Sequence, residues 1–304
     1  MMNIPTKTTT PTTTEGIDMY TTLISVQQLK DLQTSGQSFM VFDCTGDLMK
    51  PEMADTLFAT VRIQGAQQAH LDRNLSTHGP SAVNGGRHPL PSREDVATWL
   101  GSLGFENQMQ AVVYDRNGAN YCGRMWWMMK WLGHDAVAVL DGGLQAWEAS
   151  GGAVEKGSTA AFKPITSQFE LKSALREWLS TDQLAPQVGH PNLTLIDARG
   201  AARYRGETEP LDPVAGHIPG ALNRPFTENL GADGFFKSAE VLRAEFEKLL
   251  AGRDPATVVH HCGSGVSTVP NILAMEIAGL GITRLYPGSW SEWCNTPGLP
   301  CAKG

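Results

Sequence analysis

Val258-Val259-His260-His261-Cys262-Gly263-Ser264-Gly265-Val266-Ser267-Thr268 is a short apolar run that ends in a cysteine, followed by two glycines and three hydroxyl residues. Pro270 to Ala278 then reads as a helix, with proline just inside its start. A strand that stops at Cys262, turns tightly and feeds a helix sets the sulfur over a bowl of backbone N–H groups. Those groups and the helix N-terminus carry partial positive charge, which favours thiolate over thiol. Cys262 is therefore a candidate activated nucleophile. The plainer alternative is a buried cysteine acting as a small hydrophobe.

The plan around this stretch occurs twice. Val41-Phe42-Asp43-Cys44 resembles Leu195-Ile196-Asp197-Ala198 at an offset of 154, and Arg62-Ile63-Gln64-Gly65-Ala66 resembles His217-Ile218-Pro219-Gly220-Ala221 at 155. Val112-Val113-Tyr114-Asp115 lies opposite Val259-His260-His261-Cys262 at 147, and Gly142 to Trp147 matches Gly288 to Trp293 at 146. Each half alternates short apolar strands with helical stretches, for example at 92–103, 123–132, 239–250 and 269–278. That alternation predicts an α/β fold of two tandem domains, each a mostly parallel sheet with helices on both faces. The expected boundaries are a Thr- and Pro-rich disordered tail over 1–20, a first domain over 21–156, a linker over 157–170 and a second domain over 171–304. Asp115 stands where the second half has Cys262, so only the second domain carries the nucleophile, and a small ligand is expected between the two.

The 304 residues suit about two domains. With 41% hydrophobic and 18% charged residues, the composition is that of a soluble globular protein. A net charge of −7 argues against nucleic acid and anionic membranes as partners. No apolar run approaches the ~20 residues of a membrane span, and the first residues lack a signal-peptide pattern. Five cysteines, an odd count spread over the chain, suit free thiols in a reducing compartment, so a cytoplasmic location is expected.

Two neighbouring chemistries are disfavoured. A phosphotyrosine-type phosphatase loop has arginine six residues after the cysteine, where this chain has Thr268, so phosphate would lack its bidentate clamp. Zinc is not expected, because His260, His261 and Cys262 are adjacent and alternate ones point to opposite faces of a strand. Those histidines read as packed core, and no metal or other cofactor is expected.

The loop Cys262-Gly263-Ser264-Gly265-Val266-Ser267, the segment Gly216-His217-Ile218-Pro219-Gly220-Ala221 and the run Leu285-Tyr286-Pro287-Gly288-Ser289-Trp290-Ser291-Glu292-Trp293 together resemble the tandem-domain rhodanese family, over about residues 21 to 298. The neutral loop is similar to that of the family's 3-mercaptopyruvate sulfurtransferase branch, whereas the thiosulfate branch places Arg and Lys just after the cysteine. The resemblance implies a ping-pong sulfurtransferase. Cys262 would take sulfane sulfur from 3-mercaptopyruvate or thiosulfate as a persulfide and pass it to a thiol or cyanide, with thioredoxin a candidate acceptor. The backbone of Gly263, Ser264, Gly265, Val266, Ser267 and Thr268, with the hydroxyls of Ser264, Ser267 and Thr268, would hold the persulfide; helix capping is the competing role for those hydroxyls.

The resemblance maps the donor-carboxylate arginine to Arg203, while Arg199 reads as a structural partner of Asp197 or another acid. Two departures follow. The family's second arginine falls on Leu211, for which Arg205 is a candidate substitute. The family's first-domain histidine, the one paired with the loop serine, falls on Arg62, so no Ser-His-Asp relay is expected. Arg62 either brings positive charge to the cleft or forms an ion pair. Gly85-Gly86-Arg87-His88-Pro89-Leu90-Pro91 either borders the cleft or is a solvated turn. Trp290 and Trp293 are expected in the core, and Cys294 and Cys301 are a candidate redox pair. These departures keep open a second reading, a persulfide-carrying relay or sensor that serves a protein partner with little small-molecule turnover.

Overall fold

The structure, a computed structural model, describes residues 12–14, 17–157 and 167–304. Within the stretch expected to be a disordered tail, β1 (Thr12–Thr14) and β2 (Ile17–Met19) pair as short antiparallel strands; most of the remaining tail, and 158–166 of the expected linker, lie outside the described residues.

The first half supplies β3 (Leu23–Ile24), α1 (Val26–Thr34), β4 (Phe39–Asp43), α2 (Met53–Thr60), β5 (Arg62–Ile63), β6 (Gln67–Gln68), α3 (Arg93–Ser102), β7 (Gln110–Tyr114), α4 (Cys122–Trp131), β8 (Val137–Leu140), α5 (Gly143–Ala149) and β9 (Val154–Glu155). Five of these strands form a parallel sheet in the order β3-β8-β7-β4-β6, while β5 and β9 pair antiparallel beside it. The second half supplies α6 (Thr181–Leu184), β10 (Thr194–Asp197), α7 (Ala201–Tyr204), β11 (Leu222–Asn223), α8 (Ala239–Leu250), β12 (Val258–His261), α9 (Val269–Ile277), β13 (Arg284–Leu285) and α10 (Ser289–Trp293). Its sheet is also parallel, in the order β11-β10-β12-β13.

The central strands β7, β8, β10 and β12 bury both faces, as parallel strands covered by helices must. Along β7, Ala111 and Val113 enter one core while Val112 and Tyr114 enter another. The first of these cores is common to both halves: Phe42, Val113 and Trp126 belong to the same apolar cluster as Ile196, Phe246 and Ile272. The helices α4 and α9, which follow the corresponding loops of the two halves, meet inside it. Gly123 lies at this crossing, where a Cβ would make ordinary van der Waals contact with Val269 at 3.4 Å and Pro270 at 3.5 Å. Each large apolar side chain buried there stabilises by about 1.5–3 kcal/mol, so the halves are held in a fixed relation around the space between their loops.

Candidate active site

The sheet delivers Cys262 directly. β12 ends at His261, and Cys262 follows, 2% exposed. Its N–H donates to Ser289 Oγ at 3.1 Å, its carbonyl accepts from Trp290 N at 3.0 Å, and the Gly263 carbonyl accepts from Ser291 N at 2.9 Å. Ser289 holds this position with φ +55, a left-handed conformation uncommon outside glycine. Gly265, at φ +75, turns the loop where a side chain would collide with the Pro287 carbonyl. Thr268 is the N-cap of α9 but makes no side-chain cap bond, and its buried Oγ1 has no protein partner among the described residues. Capping therefore does not consume that hydroxyl.

Two guanidiniums converge on the residue after the cysteine. A Cβ on Gly263 would sit 2.9 Å from Arg87 Nη2, and 3.4 and 3.5 Å from the two Nη atoms of Arg203. Arg203 is anchored by Glu209 at 2.7 Å and lies 3.5 Å from Asp212, while Arg87 forms an ion pair with Asp212. Glu209 is itself oriented by the backbone N–H groups of Leu211 and Asp212. Arg87 thus brings a second guanidinium from the other domain to the loop, where the sequence has Leu211 at the family's second arginine position. The loop carrying Arg87 is clipped to α10 through Gly85 N to Glu292 at 3.1 Å and Arg87 N to Ser291 Oγ at 3.1 Å. It borders the cleft rather than forming a solvated turn.

His88 corrects the expectation that the loop serine lacks a histidine. Its Nδ1 is 2.8 Å from Ser264 Oγ, and its Nε2 is 3.6 Å from Asp72 Oδ1. Burial, then the Arg124 and Arg87 guanidiniums, push His88 down to about 3, so it is neutral at ordinary pH. The tautomer with its hydrogen on Nε2 faces Asp72 and leaves Nδ1 to accept the Ser264 hydroxyl. A Ser264-His88-Asp72 line therefore runs beside the cysteine, built from two loops and the short helical turn Leu71–Leu75 rather than from the segment at Arg62.

Other predicted residues fall elsewhere. Arg62 is buried, pairing with Glu155 at 2.7 Å and donating to the carbonyls of Phe58 and Gly157, where it joins β5 to β9. It forms an ion pair and does not serve the cleft. Arg205 is exposed and bonded to Glu207 at 2.6 Å. Two positions beyond Arg203 in one helical turn, it points away from its neighbour's side. Arg199 pairs with Asp197 at 2.7 Å and with Glu209 at 3.3 Å, which places it under the Arg203 anchor. His260 and His261 are fully buried, and burial pushes His260 down to about 3. Trp290 and Trp293 are core, with Trp290 under the Arg199 guanidinium at 4.9 Å. Cys294 and Cys301 are free thiols, and burial pushes Cys294 up to about 11.

The corresponding loop of the first half is filled by its own side chain. Asp115 Oδ1 accepts from Asn117 N at 2.8 Å and Ala119 N at 3.1 Å, and Oδ2 accepts from Tyr121 N at 2.8 Å and Cys122 N at 3.0 Å. This backbone geometry is one that receives an anion.

Sheet order, repeat and loop define a protein of the rhodanese class, and the chain belongs to that family: the rhodanese-like domain matches residues 25–150 and again 180–296. It is 41% identical over 283 residues to a probable 3-mercaptopyruvate sulfurtransferase of Pseudomonas aeruginosa, covering 93% of this chain and 98% of that protein. It is 34% identical over 289 residues to a putative thiosulfate sulfurtransferase of Mycobacterium tuberculosis, covering 93% and 97%. Among solved structures, the 3-mercaptopyruvate sulfurtransferase of Leishmania major superposes with a TM-score of 0.78 at 29% identity, over 91% of this chain and 76% of that one.

Proposed function

We propose that this chain is a sulfurtransferase that moves sulfane sulfur from 3-mercaptopyruvate, in preference to thiosulfate, to a thiol or cyanide through a persulfide on Cys262. The observation that carries this reading is the convergence of Arg87 and Arg203 at Gly263 with the His88–Ser264 contact beside the same sulfur. The Cys262 thiolate attacks the donor sulfur; an S–S bond forms as the C–S bond breaks, and its electron pair leaves as the enolate of pyruvate. The proton of the donor thiol ends on that enolate, so the products are pyruvate and the Cys262 persulfide anion. The Cys262 sulfur and the donor sulfur are each oxidised by one electron as they join, and the donor carbon takes up both electrons. Cyanide then takes the outer sulfur as thiocyanate, or a thiolate takes it as a new persulfide, and the Cys262 thiolate returns.

In this scheme Arg203 and Arg87 grip the donor carboxylate bidentately, Ser264 with His88 and Asp72 handles the proton, and the N–H groups of Gly263 to Thr268 hold the persulfide charge. The catalytic unit is 171–304, with 21–156 as its partner wall and 157–170 as the join. Thioredoxin is a fitting thiol acceptor. The free cysteines favour a cytoplasmic site of action, and no helix among the described residues is long and apolar enough to cross a membrane. The carrier or sensor reading rested on an absent arginine and an absent histidine, and Arg87 and His88 supply both. The deciding experiment is a steady-state comparison of 3-mercaptopyruvate and thiosulfate as donors with a low-molecular-weight thiol. Turnover of neither would return the carrier reading to first place.

A further inference from the structure

Arg124, the third residue of α4, is 1% exposed. Its Nε donates to the Leu75 carbonyl at 2.9 Å, Nη2 to the His88 carbonyl at 2.7 Å, and Nη1 to the Gly265 carbonyl at 3.0 Å. The first two acceptors lie in the first-half segment that brings Asp72, Arg87 and His88 to the cleft. The third lies in the cysteine loop. No carboxylate among the described residues forms an ion pair with Arg124, although a buried cation without one is costly to hold. Burial draws its guanidinium down to about 10, and Cys262 is the group that opposes this.

The repeat sharpens the point. The offset of 147 that relates Asp115 to Cys262 places Asn271 opposite Arg124. Asn271 bonds the Arg224 carbonyl at 2.9 Å and Asn229 at 2.6 Å, both in its own half. Only the helix facing the live loop carries a cation that crosses over.

We propose that Arg124 is a positioning residue for sulfur transfer: one guanidinium ties the His88 carbonyl to the Gly265 carbonyl, fixes His88 against Ser264, and serves as the buried counter-charge of the Cys262 sulfur when that sulfur is anionic. This rests on the sulfur-transfer reading above. Other groups face the same loop. Arg87 and Arg203 stand at Gly263 with Asp212 and Glu209 behind them, Arg199 lies below with Asp197, His88 meets Ser264, and His260 and His261 precede the sulfur on β12. Arg87, Arg203 and Arg199 are each ion-paired, to Asp212, Glu209 and Asp197, whereas Arg124 is held by backbone carbonyls.

The test uses full-length Arg124→Met and Arg124→Lys. In Arg124→Met, kcat with 3-mercaptopyruvate should fall by about thirtyfold or more while KM changes by less than about threefold, because orientation and not donor binding is lost. The pH profile of Cys262 alkylation by iodoacetamide should move to higher pH. Arg124→Lys should hold the alkylation profile near that of the parent, yet remain about fivefold or more down in kcat, since an ammonium cannot fork to two carbonyls. A folded Arg124→Met with parental kcat and alkylation profile, and only a lower Tm, overturns the proposal. If Arg124→Met does not fold, parental kcat in a folded Arg124→Lys overturns it. Alkylation needs no donor, so a parent chain that turned over neither donor would sink the sulfur-transfer reading and still leave the counter-charge tested.

Discussion

His88 Nδ1 and Ser264 Oγ meet at 2.8 Å across the boundary between the two rhodanese-like units. The contact separates the two donors chemically. Mercaptopyruvate leaves as an enolate that must take a proton, whereas thiosulfate leaves as sulfite, a stable anion that needs none. Ser264→Ala should therefore lower kcat on 3-mercaptopyruvate by about a hundredfold, on the scale of lost general acid–base catalysis, and change kcat on thiosulfate only a few-fold. Equal losses on both donors would show that Ser264 shapes the loop rather than moving a proton.

Arg203 and Arg87 should behave as a pair. Arg203→Ala or Arg87→Ala should each cost about 2–3 kcal/mol in kcat/KM for anionic donors, the scale of a hydrogen bond to a charged group. Arg205→Ala should leave kcat/KM unchanged, because that side chain is exposed and engaged with Glu207. Leu211→Arg, the substitution the family pattern suggests, should bring little gain with Arg87 already in place. A marked fall in KM for that variant would contradict the seat assigned to Arg87.

The two loops should answer differently to loss of their central side chain. Cys262→Ser should abolish transfer, and in the parent a +32 Da adduct should map to Cys262 alone. Asp115→Asn keeps the shape but turns an acceptor oxygen into an N–H₂ facing backbone donors. It should cost about 2 kcal/mol or more in urea unfolding, with kcat in the folded fraction close to the parent.

Acid stability follows from the buried imidazoles. His88 and His260 are pushed down to about 3 and His134 to about 4, each chiefly by burial. The unfolded chain binds these protons near pH 6.5, before the folded chain does, so unfolding takes up protons between roughly pH 4 and 6.5 and stability falls as pH falls through that window. In His88→Gln, the dependence of unfolding free energy on pH should flatten there by about 1.4 kcal/mol per pH unit. An unchanged slope would mean that His88 is already protonated in the folded protein.

The strand-turn-helix at Val258 to Ala278 was legible because its signals are local: an apolar run, positive-φ glycine, and a proline at the helix start. The duplicated plan was legible for the same reason. Helix 239–250 was found at its observed ends because Ser238 caps it and its apolar face repeats at helical spacing. What escaped the sequence is what one half gives the other. His88 lies 176 residues from Ser264, Arg87 lies 125 from Asp212, and Arg124 lies 141 from Gly265. Nothing in the composition of a Gly-rich loop or an apolar helix states which distant partner it will meet. Arg205 was misplaced for a smaller reason, since two residues along one turn cannot face the same ligand.

Asp115 gives the duplication a temporal meaning. Its carboxylate fills the first loop with four backbone donors at all times, in the place where the second loop would gather the same kind of donors around sulfur once per cycle. On the proposed cycle, one copy is thus arrested, by a single covalent choice, in the arrangement through which the other would pass and return. If that cycle holds, the chain carries beside its working loop a standing likeness of that loop when loaded, against which the hydrogen bonding of the transient state can be measured in a protein at rest.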